Sequence, residues 1–417
     1  MSDLIDQLQA TCAIADPRHA ITLPAIAYCS AELYELEQTK VFRSGWQGVC
    51  RVEQIAEPGS YYSIDLLGRA LVVTRDRDGE LHVLSRICRH RRVEVVAGAG
   101  RASSLACPYH LWTYGLDGQL LGAPLMHEVP GFDKGEFRLP HVRHEVWHGF
   151  VFVNLDGTAE PLAPQLAKLE PYLENYDLDG YRSVDVSDWD CPWDWKIMVE
   201  NFMECYHHIG PHRNTLEDEY PAAMSWIDKG DDLFSILHMS QDPKYGDQTP
   251  LLAGSSRLRP EQLREIIVFA IYPHFMVSLG AGFLTWMKVL PEGPGKMRLQ
   301  LDIAMSGAAL AEPDRENLQR RLVDATIAIY KEDVDVCAAA QRTANNDTGD
   351  GGAGDGGAGD GGAGDGGAGD GGAGDGVGRL ALIEQSLWEL YRYLGRQLGL
   401  VETGQSDPLC CDRPRRS

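Results

Sequence analysis

"CRHRRVEVVAGAGRASSLACPYHLW", residues 88–112, decides how the chain is read. It contains Cys88, His90, Cys107 and His110, spaced as C-x-H, sixteen residues, then C-x₂-H. Zinc fingers usually pair cysteine with cysteine and histidine with histidine. Here each short segment offers one thiolate and one imidazole, and the glycines of "AGAG" lie between the two segments.

That donor set suits two metal ions held differently, with two cysteines on one and two histidines on the other. It is the ligand set of a Rieske [2Fe–2S] centre, whose imidazoles raise its potential above that of an all-cysteine cluster. A tetrahedral zinc site is the competing reading. The flanks are strand-rich. "YYSIDLLGRALVVTRDRDGELHVLSRI" alternates apolar and polar residues, and Asp78-Gly79 marks a hairpin turn. "HGFVFVNLDG" reads as a further strand.

A second constellation lies downstream in "ENFMECYHHIGPH", residues 200–212, which carries His207, His208 and His212. Histidines this close together raise the question of a metal site, and two of them with a carboxylate would make a 2-His-1-carboxylate triad. On a continuous helix His207 and His212 would stand about 140° apart, too far to share one metal. Gly210 and Pro211 break the helix, so His212 can fold back over its end. His208 points about 100° away from His207, as a structural, supporting or substrate-facing residue. The pair His208/His212 is a weaker alternative, because the same Gly-Pro interrupts the helix that would align them.

With these motifs the sequence resembles the large α subunit of the Rieske non-haem iron oxygenases, from about residue 35 to 400 apart from one insert. Two positions depart from the family pattern: Arg92 and Leu111 stand where glycine is usual. The resemblance implies an α+β fold. A β-rich Rieske domain would precede a catalytic domain in which a curved antiparallel sheet grips a long helix. It implies Cys88, His90, Cys107 and His110 as ligands of the [2Fe–2S] cluster. His207, His212 and Asp333 would hold Fe(II), with Asp333 chosen from "YKEDVDVCAAAQRT" because it precedes Gln341 by eight residues. Asp335 is the runner-up, and Glu332 is expected to face solvent. Glu204 is the acid that would bridge to a cluster histidine of the neighbouring subunit. Asn201 and Tyr206 would orient the metal ligands.

The same resemblance implies oxygenation of a small organic molecule, by hydroxylation or oxidative demethylation. Electrons would come from a separate flavin-dependent NAD(P)H reductase, with or without a ferredoxin. The chain has no G-x-G-x-x-G placed after a strand to bind the dinucleotide itself. A homotrimer in a head-to-tail ring would bring each iron near a neighbour's cluster. "ECYHH", with glutamate as the bridging acid, is closer to the choline-, betaine- and carnitine-type monooxygenases than to the ring dioxygenases. Ring dihydroxylation of an aromatic acid is the alternative, and a pure electron-transfer Rieske protein a third. A quaternary ammonium needs an aromatic cage; Trp226, Tyr272, Phe275, Phe283 and Trp286 lie in plausible segments, though each also suits a core.

The rest of the chain sets limits. It has 417 residues and a net charge of -23, which argues against nucleic-acid or anionic-membrane binding. No apolar run is long enough to span a membrane, and the N-terminus lacks a signal-like apolar stretch. Ten scattered cysteines fit a reducing cytoplasm. The expected divisions are a helical segment over 1–45, the Rieske domain over 46–155 and the catalytic domain over 156–402. A Gly-Asp-rich flexible insert is expected over 349–377 and a loose tail over 403–417.

Overall fold

The computed structural model describes residues 2–245, 250–349 and 378–402. The expected insert beyond residue 349 and the expected tail lie outside these residues. Among the described residues no helix is long and apolar enough to cross a membrane.

The N-terminal third is built of small antiparallel sheets. Strands 60–66, 69–75 and 81–85 form a meander, with residues 99–101 added at its edge. Its turns follow the sequence: Leu67-Gly68 and Asp78-Gly79 place their glycines at positive φ. Strands 46–51, 150–154 and 143–147 make a second sheet. A third, of residues 105–106, 113–114 and 120–122, carries the second cysteine–histidine segment at its tip. Val72, Leu84, Trp112, Tyr114 and Leu139 fill the space beneath both segments.

The C-terminal part is one seven-stranded antiparallel sheet. Its order in space is 182–191, 296–305, 283–293, 275–279, 265–271, 234–240 and 225–228. From 225–228 to 296–305 every strand pairs with the next in sequence. Four of these connections are short turns, and the fifth, between 234–240 and 265–271, is the long segment 241–264. The helix Trp195–Phe202 and the long helix Arg315–Gly349 pack against each other. The helix Gln385–Gln397 packs on the strand 234–240. The chain is therefore an α+β protein with antiparallel sheets, and the long helix packs on the shorter helix and on the edge strand 182–191.

A charged network anchors the shorter of the two packed helices. Asp194 caps its N-terminus by accepting from the Lys196 backbone at 3.0 Å. The buried Lys196 ammonium lies 2.8 Å from both Glu37 and Asp194. Gln341 of the long helix accepts from the Asp194 N–H at 2.8 Å and donates to the Tyr28 carbonyl at 3.1 Å. Buried charges persist only when paired and hydrogen-bonded, and each of these is.

Candidate active site

The two cysteine–histidine segments fold alike. In each, the cysteine N–H donates to the carbonyl five residues on, Cys88 to Val93 and Cys107 to Trp112, both at 2.8 Å. The cysteine carbonyl accepts from the N–H four residues on, from Arg92 at 3.1 Å and from Leu111 at 3.0 Å. The residue at that fourth place adopts left-handed backbone, with φ +61° at Arg92 and +57° at Leu111. Glycine reaches this region without steric cost, and other L-residues do not. These are the two positions at which the sequence departs from glycine, so both side chains are held in strained turns.

The two turns face each other. Cys88 and Cys107 are buried, whereas His90 is exposed and its ring lies 4.7 Å from that of His110. His90 stacks flat on Trp112 at 4.9 Å. The Tyr114 hydroxyl accepts from the Arg89 N–H at 3.0 Å and sits 3.3 Å from Cys88 Sγ, so its own proton is free for the sulfur. Two sulfurs inside and two imidazoles outside fit a cluster whose irons are ligated differently.

The second site forms where the two packed helices meet the sheet. The sequence suggests helix through Ile209, but the helix ends at Phe202. The chain resumes as a tight 3₁₀ turn over Tyr206–Ile209. With three residues per turn, Tyr206 and Ile209 share a face, and both are about half exposed, at 50% and 55%. Tyr206, expected to orient the metal ligands, is half exposed and is not among the residues that line the cavity. His207 and His208 turn inward.

His207, His212 and Asp333 bring one ligand atom each to within 4.8 Å of one another. Asp333 Oδ1 is the point of convergence, 3.0 Å from His212 Nε2 and 3.7 Å from His207 Nε2. Asn201 donates to the same oxygen at 3.3 Å. Asp333 is buried on the long helix, while Asp335 is exposed, which disposes of the runner-up. Three donors of this kind on one side of a cavity fit a divalent iron with positions left over.

Each of the two histidines has a carboxylate at its far nitrogen. Glu204 Oε1 lies 2.5 Å from His207 Nδ1, and its Oε2 accepts from the His207 backbone N–H at 3.0 Å. Glu332 Oε2 lies 2.7 Å from His212 Nδ1 and accepts from Thr215 Oγ1 at 2.7 Å. The expectation that Glu332 faces solvent is therefore corrected. Adjacent helical residues stand about 100° apart, so Asp333 reaches the centre while Glu332 reaches round behind His212. The pull of Asp333 and Glu332 outweighs burial and raises the His212 pKa.

His208 is buried and its ring lies 5.1 Å from His207 and 5.5 Å from His212. Burial pushes its pKa down to about 3, so it is neutral. Its Nδ1 is 3.3 Å from the Tyr220 carbonyl, which makes that nitrogen the donor. Behind the site lies the partly buried Glu200, with the Tyr28 hydroxyl 3.0 Å from both its oxygens and Tyr391 also bonded to it. Burial raises its pKa to about 8.

The cavity beside these donors holds about 740 Å³. Period-two alternation puts Leu237 with Met239, Ile266 with Val268 and Phe283 with Thr285 on its sheet wall. Of the five aromatics considered for a cage, only Phe283 lines it. Trp226 instead stacks on His238, and Tyr272 stacks on Tyr393. Phe275 and Trp286 pack with Phe150 in the core. The lining aromatics missed from the sequence are Phe202, Tyr220, Tyr245 and Tyr330; Phe202 and Tyr330 lie in segments that read as helix.

Two family profiles match the chain: "Rieske [2Fe-2S] domain" over residues 45–133 and "Ring hydroxylating alpha subunit (catalytic domain)" over 173–374. Together they span well over half of it, and the chain belongs to the Rieske non-haem iron oxygenases as an α subunit. The two domains of this family carry a [2Fe–2S] cluster and a mononuclear iron. The carnitine monooxygenase oxygenase subunit of Acinetobacter pittii is 31% identical over 51% of this chain and 58% of that protein. Chloroplastic choline monooxygenase of Beta vulgaris is 28% identical over 78% of this chain and 71% of that protein. The aligned stretch thus spans little more than half the length of the carnitine relative. In fold, a quaternary ammonium Rieske monooxygenase superposes with a TM-score of 0.75 at 22% identity, covering 94% of this chain and 98% of that one. Naphthalene 1,2-dioxygenase from Rhodococcus sp. superposes at 0.77 and 20% identity, covering 95% and 98%.

Proposed function

We propose that this chain is the terminal oxygenase of a multicomponent system that hydroxylates or oxidatively demethylates a small cationic organic molecule. One observation carries the reading: His207 Nε2, His212 Nε2 and Asp333 Oδ1 converge at a cavity of about 740 Å³. The iron would supply O₂ activation there, and the cluster held by Cys88, His90, Cys107 and His110 would supply electrons. Asn201 holds the Asp333 carboxylate in place, Glu204 fixes the orientation of His207, and the apolar sheet wall keeps water from the reacting carbon.

The relatives named for carnitine and choline support a quaternary ammonium substrate. So do the carboxylates of Glu219 and Glu265 in the cavity wall. Arg321, also in the wall, favours the second reading, ring dihydroxylation of an aromatic acid. The partners of this proposal are a flavin-dependent NAD(P)H reductase, with or without a ferredoxin, in the cytoplasm. A homotrimer would let Glu204, which keeps lone pairs to spare, meet the exposed His90 or His110 of the next copy.

The test is iron and acid-labile sulfide per chain on protein purified without oxygen. About three irons and two sulfides are expected, one iron being removable by a chelator. Zinc without sulfide would overturn the reading. Product assays with a surrogate reductase, on quaternary ammonium and aromatic-acid panels, then separate the two substrate classes.

A further inference from the structure

We infer that Glu332 is a positioning residue for the mononuclear metal site, acting through His212 and itself locked by Thr215. The inference rests on the proposed role of His207, His212 and Asp333. Imidazole binds a metal best when its other N–H is held by an acceptor, which fixes the tautomer and makes the ligating nitrogen more basic. Glu332 Oε2, 2.7 Å from His212 Nδ1, makes that nitrogen the donor and leaves Nε2 with its lone pair towards Asp333. Thr215 donates to the same oxygen at 2.7 Å, so the carboxylate cannot swing away. His212 itself is almost fully buried, at 1% exposure, and its Nδ1 has no other partner among the described residues.

The arrangement differs from that of His207. Glu204 is three residues from its histidine and grips it by side chain and backbone together. Glu332 reaches His212 across 120 residues of sequence. It arrives on the same helical step as Asp333, so the long helix delivers a direct ligand and a hydrogen-bond partner at once. His212 has no local device to orient it, and Glu332 supplies the orientation from outside.

The experiment uses the full chain with its cluster, stripped of removable iron and titrated anaerobically with Co(II), read by the metal's visible bands. Glu332→Leu is expected to weaken Co(II) binding by about 10–100-fold. Glu332→Gln keeps an acceptor without the charge and is expected to fall between Leu and wild type. Thr215→Val should cost a few-fold. Cluster absorbance and melting temperature should stay at wild-type values in Glu332→Gln. Wild-type Co(II) affinity and bands in both Glu332 variants would overturn the inference. So would a fall in Glu332→Gln melting temperature that accounts for the whole loss of affinity. Asp333→Asn serves as the reference. If it too binds Co(II) normally, the metal site itself is misassigned; if it alone loses binding, only the role of Glu332 fails.

Discussion

The two candidate metal sites are built on opposite plans. The cysteine–histidine turns are short and local, exposed on the imidazole side and held by backbone hydrogen bonds in two matching copies. The histidine–aspartate site is buried, draws on elements far apart in sequence and is held by side chains, with carboxylates behind both histidines. The first plan suits a group that must meet a partner's redox centre at a surface. The second suits a centre that must keep water out and leave positions open on one side. A backbone-built turn tolerates side-chain change, whereas a side-chain-built site does not.

The largest break in that comparison should come from removing one donor on each side. Asp333→Asn should lose the chelatable iron and turnover, by more than the roughly 100-fold cost of an outer partner, with the cluster spectrum unchanged. Cys107→Ser should do the reverse, losing colour and sulfide while keeping Co(II) binding at the other site. Parallel metal analysis and visible spectra check both. A single substitution that empties both sites would show that they do not fold independently.

A smaller effect should come from Glu200. Burial raises its pKa from 4.5 to about 8 in the folded chain. Between those values the folded state keeps a proton that the unfolded state releases, so stability falls as pH rises through this window and levels off above it. Glu200→Gln carries no such penalty. It should gain on wild type from about pH 5 upward, by up to about 4 kcal/mol at pH 8, and show no advantage at pH 4. Denaturant melts at several pH values check the slope; a gain that is flat with pH would refute it.

On the cluster side, Tyr114→Phe removes the hydroxyl beside Cys88 Sγ. A hydrogen bond to a thiolate favours the more negative, reduced state, so its loss should lower the midpoint potential. One bond of about 1 kcal/mol corresponds to ~40 mV for one electron. Protein-film voltammetry would detect it. The smallest change is expected from Arg92→Gly and Leu111→Gly, which relieve left-handed backbone but loosen the unfolded chain. Each should raise stability by no more than ~1 kcal/mol.

How much of this was legible in the sequence follows the same division. The C-x-H and C-x₂-H segments announce themselves because all four residues lie within one stretch and their spacing encodes the turn. His207 and His212 are visible for the same reason, through the Gly-Pro that lets them meet. Glu332 is not visible, because a Glu-Asp pair on a helix does not say which acid lies inward until the neighbouring strands and helices are placed. Tyr206 was placed only by its position before His207, and that position does not say which way the side chain turns; in the structure it is half exposed. The aromatic cavity wall was misplaced because the candidates came mainly from strands, whereas Phe202, Tyr220, Tyr245 and Tyr330 reach the cavity from helices and turns.

The separation of the two sites along the chain has a consequence for biogenesis. Residues 88–112 can close their turns while the ribosome is still making the catalytic sheet, since the partners of their hydrogen bonds lie between residues 58 and 114. The other centre has no carboxylate from the long helix until residues 332 and 333 have emerged and docked, 120 residues after His212. Maturation therefore has a direction. The sulfur-bearing end can be ready early, and the histidine–aspartate end is completed later, by the same helix that walls part of its cavity between residues 321 and 330.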